Sequence, residues 1–196
     1  MYDEIIDPGK KPKQAYLKEA QYIYAWLRNH LFDSTTGAVR DNMNRNGRVD
    51  PAVYTYNQGT FIGAAHELYK ITQDQQYLKD AIQAGNYIVE RMSGNKGVLS
   101  DATSGDGGLF HGIFFRYFVR LINEPEVERI DSASRKKFHN FMTHCATVMA
   151  EKGVNPRTML FDGHWHQAPT TTRGVPLTPH LSGCMLMEAM CILQPL

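Results

Sequence analysis

An all-α fold of alternating helical hairpins follows from three features of the chain. Apolar residues recur with helical spacing and almost never alternate as they would in a strand. One segment returns: Tyr16-Leu17-Lys18-Glu19-Ala20 is echoed by Tyr77-Leu78-Lys79-Asp80-Ala81, so the repeating unit is a pair of helices. The helices also alternate in character. The odd ones are amphipathic and charged, the even ones apolar or rich in small residues. Two concentric layers of helices, an α/α toroid, produce that alternation.

The spacing predicts a first helix over about 13–32, with Ala15, Tyr16, Ile23, Trp26, Leu27 and Leu31 on its apolar side. A second runs over about 58–72, entered through Tyr56-Asn57-Gln58-Gly59 with Asn57 as a natural cap. A third covers about 76–92 and buries Tyr77, Leu78, Ala81, Ile82, Ile88 and Val89. The fourth, about 109–123, is apolar almost all round, the mark of an internal helix. The fifth, about 132–152, is capped by Asp131 or Ser132, and Phe138 or Phe141-Met142 gives it a weaker copy of the repeat. The sixth, about 181–193, is again apolar all round. The whole of 1–196 reads as one helical domain.

Loop lengths are asymmetric. Even-to-odd connections are short, 73–75 and 124–131, whereas odd-to-even ones are long, 33–57, 93–108 and 153–180. In an array of hairpins the long loops gather at one end, together with the starts of the internal helices. That end is the functional face. It offers Asp33, Asp41, Asn42, Arg45, Arg48, Asp50, Tyr54, Tyr56, Asn57 and Gln58 from the first loop. The second adds Asp101, Asp106, Phe110 and His111, and the third Asp162, His164, Trp165, His166, Arg173 and His180.

Amides, carboxylates and aromatic faces together suit a neutral hydroxylated ligand such as a sugar. Rings pack on its C–H faces and polar groups fix its hydroxyls. Other chemistries fit less well. His164 and His166 lack the further ligands a zinc site needs, so no metal or other cofactor is expected. Asp106-Gly107-Gly108 has neither the preceding strand nor the Gly-Lys-Ser/Thr of a phosphate loop. No Gly-x-Ser-x-Gly element occurs. The net charge of +1 and scattered basic residues argue against nucleic acid. No apolar run reaches the roughly 18 residues of a membrane span, and 1–13 has no apolar signal core. A soluble chain is expected, with secretion or a periplasmic location of a parent enzyme left open. Cys145, Cys184 and Cys191 have no metal spacing and read as core thiols.

Thr55-Tyr56-Asn57-Gln58-Gly59-Thr60-Phe61-Ile62-Gly63-Ala64, then Leu68-Tyr69 and Tyr77-Leu78-x-x-Ala81, resemble glycoside hydrolase family 76, the α-1,6-mannanase family of bacteria and fungi. Phe110-His111-Gly112-Ile113-Phe114-Phe115-Arg116-Tyr117 resembles a second element of that family, with His111 in place of the usual Lys. The resemblance implies an (α/α)6 barrel of which these helices form about half, the C-terminal one. It also implies action on α-1,6-linked mannan or mannooligosaccharides by an adjacent aspartate pair. This chain has no Asp-Asp dipeptide, so no catalytic residue is assigned. A carbohydrate-binding or scaffold protein that has lost the pair is the alternative. The expected sugar-binding residues are Tyr56, Asn57, Gln58, Asp106 and Phe110, which lie in the matching motifs, and Trp165, from its loop position. Half a toroid leaves apolar flanks bare, so a homodimer or a missing N-terminal half is expected as partner.

Overall fold

Helices carry the chain in a computed structural model that describes residues 13–99, 104–167 and 174–196. They are α1 (Lys13–His30), α2 (Thr55–Thr72), α3 (Gln75–Tyr87), α4 (Phe110–Asn123), α5 (Pro125–Lys152) and α6 (Leu177–Ile192). A π turn, Ile88–Met92, extends α3, and a 3-10 turn, Gly105–Leu109, leads into α4. Among the described residues, β-type pairing is confined to isolated bridges.

The layers follow from side-chain size. Helices α2, α4 and α6 stand in a row, with α4 between the other two, while α3 lies against α2 and α4, and α5 against α4 and α6. The row closes up through glycine. A Cβ on Gly59 of α2 would lie 2.6 Å from the Phe114 Cα of α4, and one on Gly112 of α4 would lie 2.9 Å from the Ser182 Cα of α6. Only a residue without a side chain allows that approach of helix backbones. Around it α4 buries Phe114, Phe115, Phe118, Leu121 and Ile122 completely. Each such side chain contributes about 1.5–3 kcal/mol of transfer free energy.

The two described members of the repeat do the same job in outer helices, packing Leu78 into the core and Leu17 onto its edge. Helix α1 is held to α3 by a polar cluster. Asp80 is fully buried and accepts from Tyr24 Oη (3.0 Å), Arg28 Nε (2.5 Å) and Nη2 (3.1 Å), and Gln76 Nε2 (2.8 Å). Each long loop starts with the same device, an antiparallel bridge just after the outer helix: Phe32 with Val39, Ser93 with Leu99, and Val154 with Phe161.

Several boundaries differ from the sequence expectation. Helix α1 ends at His30, because Phe32 is taken into the first bridge. Its apolar side also differs: Ile23 is 63% and Trp26 40% exposed, while Tyr24 turns inward to meet Asp80. Helix α2 starts at Thr55, so Asn57 is not its cap but sits in its first turn, where Oδ1 accepts the Tyr54 N–H at 3.2 Å. Helix α5 begins at Pro125, well before Asp131. Asp131 interrupts it with an extended backbone (φ −157°, ψ 83°) and caps the continuation, Oδ1 accepting the Ser134 N–H at 2.9 Å. The short connection is therefore a helical turn of its own. Helix α6 starts at Leu177, because Pro179 in its first turn costs no hydrogen bond.

Candidate sugar-binding face

The starts of the three inner helices share a local rule. Each has a buried polar residue followed by a glycine crowded by a neighbour, a helix backbone for Gly59 and Gly112 and the Phe161 side chain for Gly183: Gln58-Gly59, His111-Gly112 and Ser182-Gly183. The polar member ties its helix to a neighbour. The Gln58 amide, with both ends satisfied, donates to Gly37 O (3.2 Å) and accepts from Val39 N (2.8 Å). His111 Nδ1 meets Thr55 Oγ1 at 2.9 Å, joining α4 to α2. Ser182 Oγ donates to Gly108 O (2.6 Å) and accepts the Gly112 N–H (3.0 Å), joining α6 to the turn before α4. Three helix starts are thus brought to one end and fixed in register.

On that floor stands a polar and aromatic cluster. The Tyr56 hydroxyl donates to Asp41 Oδ1, Asn57 Nδ2 donates to the same oxygen at 3.2 Å, and Asn42 Nδ2 donates to Asp41 Oδ2 at 2.8 Å. Asp41 is delivered from the long first loop, whose backbone is anchored there by Asp41 N donating to Ala52 O at 3.0 Å. The Tyr56 hydroxyl, with the two amides, holds the Asp41 carboxyl below its usual range against the opposing effect of burial. Burial and the same Asp41 bond push the Tyr56 phenol up. Asp41 is therefore an ionised acceptor at neutral pH, and its partners stay donors. Beside them Tyr56 and Phe110 rings lie 4.5 Å apart, and Tyr54 and Phe110 rings 5.4 Å apart. Tyr54 is exposed, and Tyr56 and Phe110 are half-buried.

The residues expected from the sequence divide into three groups. Tyr56, Asn57 and Phe110 meet in this cluster, across the starts of α2 and α4. Asp106 is exposed on the 3-10 turn that the Ser182 bond holds in place. Gln58 and Trp165 lie beneath the surface. Gln58 is fully buried with its amide spent on the first loop, and Trp165 is 2% exposed, edge-on to His111 at 5.4 Å and beside Phe115 at 5.7 Å. Their part is to support the floor. Asp101 and Arg173 lie outside the described residues. Asp41 was one loop carboxylate among several in the sequence. Its pairing with Tyr56 and Asn57, like that of Thr55 with His111, spans a chain separation that periodicity does not report. Among the described residues no group of three or more His, Cys, Asp or Glu could hold a metal ion, and no helix is long and apolar enough to cross a membrane.

No curated protein matches the chain. Solved structures do. The chain is 34% identical to the GH76A α-1,6-mannanase from Salegentibacter sp. HEL1_6, with a TM-score of 0.83, covering 93% of this chain and 54% of that one. An inactive variant of the same mannanase, with two adjacent aspartates replaced and α-1,6-mannotetrose bound, matches at 35% identity and a TM-score of 0.84, covering 93% and 53%. The Lin0763 protein from Listeria innocua matches at 30% identity and a TM-score of 0.77, covering 91% and 49%. The chain thus spans about half the length of these relatives. The model of glycosyl hydrolase family 76 matches residues 10–194, nearly the whole chain, and this protein belongs to that family.

Proposed function

We propose that this chain forms one half of a glycoside-hydrolase cleft for α-1,6-linked mannan or mannooligosaccharides, and that its own contribution is to bind the sugar. The observation that carries the reading is the Asp41–Tyr56–Asn57 cluster beside Phe110, at the gathered helix starts. The Asp41 carboxylate keeps acceptor capacity on Oδ2 for a sugar hydroxyl, the Tyr56 hydroxyl and the Asn57 amide hold it in place, and the Phe110 and Tyr54 rings offer apolar faces to the C–H side of a pyranose. Family membership and relatives solved with α-1,6-mannotetrose and α-1,6-mannotriose support the ligand class.

The chemistry of bond cleavage is a separate matter. Retaining hydrolysis needs two carboxyls about 5–5.5 Å apart, one of them a proton donor. Asp41 is held ionised and so is a poor proton donor, and the sequence has no adjacent aspartates such as those replaced in the inactive relative. The chain is therefore a binding half whose acids are supplied from elsewhere, and in isolation it behaves as a non-catalytic carbohydrate-binding protein. Titration calorimetry with α-1,6-mannotriose, alongside an assay for released mannose oligomers, tests both parts. Expected are saturable binding, loss of at least about tenfold in affinity for Asp41→Ala, and no product. Absence of binding, or binding untouched by Asp41→Ala and Tyr56→Ala, refutes the site. Steady hydrolysis by the purified chain refutes the division of labour.

A further inference from the structure

The outer helices repeat more strictly than the echoed segment alone shows. Phe32, Ser93 and Val154, which open the bridges after α1, α3 and α5, stand at a constant interval, since 93 − 32 and 154 − 93 are both 61. Tyr16-Leu17 and Tyr77-Leu78 have the same interval. So does a pair of exposed polar residues, Gln83 on α3 and His144 on α5.

Each of the two reaches back to the turn of the loop before it. Gln83 Nε2 donates to Ser34 O at 3.0 Å, and His144 Nε2 lies 2.9 Å from Lys96 O. A carbonyl oxygen only accepts, so His144 holds its proton on Nε2. Both turns pass through the left-handed region at a glycine, Gly37 (φ 86°) and Gly97 (φ 70°). Both glycines lie against the same anchor: a Cβ on Gly37 would lie 2.1 Å from Gln83 O, and one on Gly97 3.5 Å from the His144 ring. On its other side the first turn is gripped by Gln58 of α2, through Gly37 O and Val39 N. An amide and an imidazole are unlike in sequence, and here they do one job at one place in the repeat. Both are exposed, so neither serves the core.

The sugar-facing parts follow these turns. Around the first, Asp33 N donates to Ala38 O and Arg40 N to Leu31 O, both at 2.8 Å, and the next residue is Asp41. The second is followed by buried Val98 and Leu99, and its loop ends in the 3-10 turn with Asp106 and the start of α4 at Phe110. We propose that Gln83 and His144 are equivalent positioning residues, which hold the two turns from the outer helices and so set where Asp41 and Asp106 stand on the sugar-binding face. They touch no sugar themselves. The inference rests on the glycan reading of that face for the ligand, and on the repeat for the rest.

Amide hydrogen exchange and calorimetry with α-1,6-mannotriose test it on the 196-residue chain. Gln83→Ala should speed exchange at Thr36 and Gly37, whose N–H groups donate to Asp33 O within the first turn, by at least about fivefold, and leave Gly97 as it was. His144→Ala should do the reverse. Each should weaken mannotriose binding by roughly threefold or more, with a thermal midpoint near that of the unaltered chain. Gln83→His and His144→Gln should keep the original exchange and affinity, because each still presents an N–H at that place. Gln83→Glu, an acceptor facing a carbonyl, should behave like alanine. The side-chain amide resonances of Asn42 and Asn57, which both donate to Asp41, report its place without sugar, and Gln83→Ala should shift them. Unchanged exchange in both alanine variants overturns the proposal. So does faster exchange with those resonances and the mannotriose affinity unmoved. An unaltered chain that ignores mannotriose, with the resonances still moved by Gln83→Ala, sinks the glycan reading and leaves the positioning role standing.

Discussion

Gly59→Ala is a small change with a large expected effect, because the added methyl points at a helix backbone. Its carbon would sit 2.6 Å from Phe114 Cα and 3.1 Å from Ile113 O, where ordinary contact begins at 3.4 Å. Relief needs about 0.8 Å of separation between α2 and α4 (3.4 − 2.6), and neither obstacle can rotate away as a side chain could. Alanine in a helix interior gains about 0.8–1.0 kcal/mol over glycine. Overpacking a core costs about 1–3 kcal/mol, and a backbone obstacle places this site at the upper end. The net loss is then about 2 kcal/mol, which lowers Tm by roughly 4–8 °C for a domain of this size. The same separation pulls Tyr56 from Phe110, now 4.5 Å apart, so affinity for α-1,6-mannotriose should fall in protein that is still folded. Urea unfolding and calorimetry give both numbers. Gly174→Ala is the control, since nothing lies within 4 Å of its added carbon, and its effect should stay within about 0.5 kcal/mol. If Gly59→Ala is as mild as Gly174→Ala, the close packing of the inner row is not what holds the cleft together.

Other outcomes follow from single features. Asp80→Ala removes the acceptor of Tyr24, Arg28 and Gln76, and should cost about 3 kcal/mol in urea unfolding, the low end for a broken buried pair because Arg28 is partly solvated; a cost under about 1 kcal/mol would show that α1 docks by apolar contact instead. The depressed Asp41 carboxyl contributes stability that is present above the unfolded value of about 3.9 and lost as pH falls through its lower folded value. Asp41→Asn should therefore flatten the acid limb of a stability profile below about pH 4, and an unchanged limb contradicts that assignment. Met159 holds a left-handed backbone (φ 58°) at the tip of the third bridge, where the first and second loops have Gly37 (φ 86°) and Gly97 (φ 70°). Met159→Gly should raise stability by up to about 1 kcal/mol in thermal unfolding, and a lowered Tm refutes the strain. Burial pushes the Cys145 thiol up to about 12, so it should resist a disulfide reagent until the protein is unfolded in urea, and rapid native labelling would place it elsewhere.

Periodicity found the third helix because burial of one face is written into it: Leu78, Ala81, Ile82 and Ile88 fall on the predicted inner side and are buried. It also placed the long loops at one end, since hairpin order and loop length are both linear properties of the chain. It misjudged Ile23 and Trp26, because an apolar side chain reports what it would pack against, not whether that neighbour is present. The candidate site was legible as a composition but not as an arrangement. An amide beside a helix start reads the same whether it braces a loop carboxylate, as Asn57 does with Asp41, or a loop backbone, as Gln58 does. Trp165 is a loop residue by sequence and a core residue by contact, because Gly153 makes room for its backbone: a Cβ there would lie 2.6 Å from Trp165 O.

The main helix contacts join elements that are one or two steps apart in order: α1 with α2, α2 with α3 and α4, α3 with α5, α4 with α5 and α6. Closing a contact over a short stretch of chain loses little loop entropy, and chains dominated by such contacts fold fast. Each hairpin also meets its predecessor as soon as it is made. The molecule can therefore assemble in the direction of synthesis, α2 and α3 offering a surface before α4 leaves the ribosome and α4 offering one before α6 does. Within this array α6 is the last described helix to be made, and it finds α4 and α5 already in place to receive it.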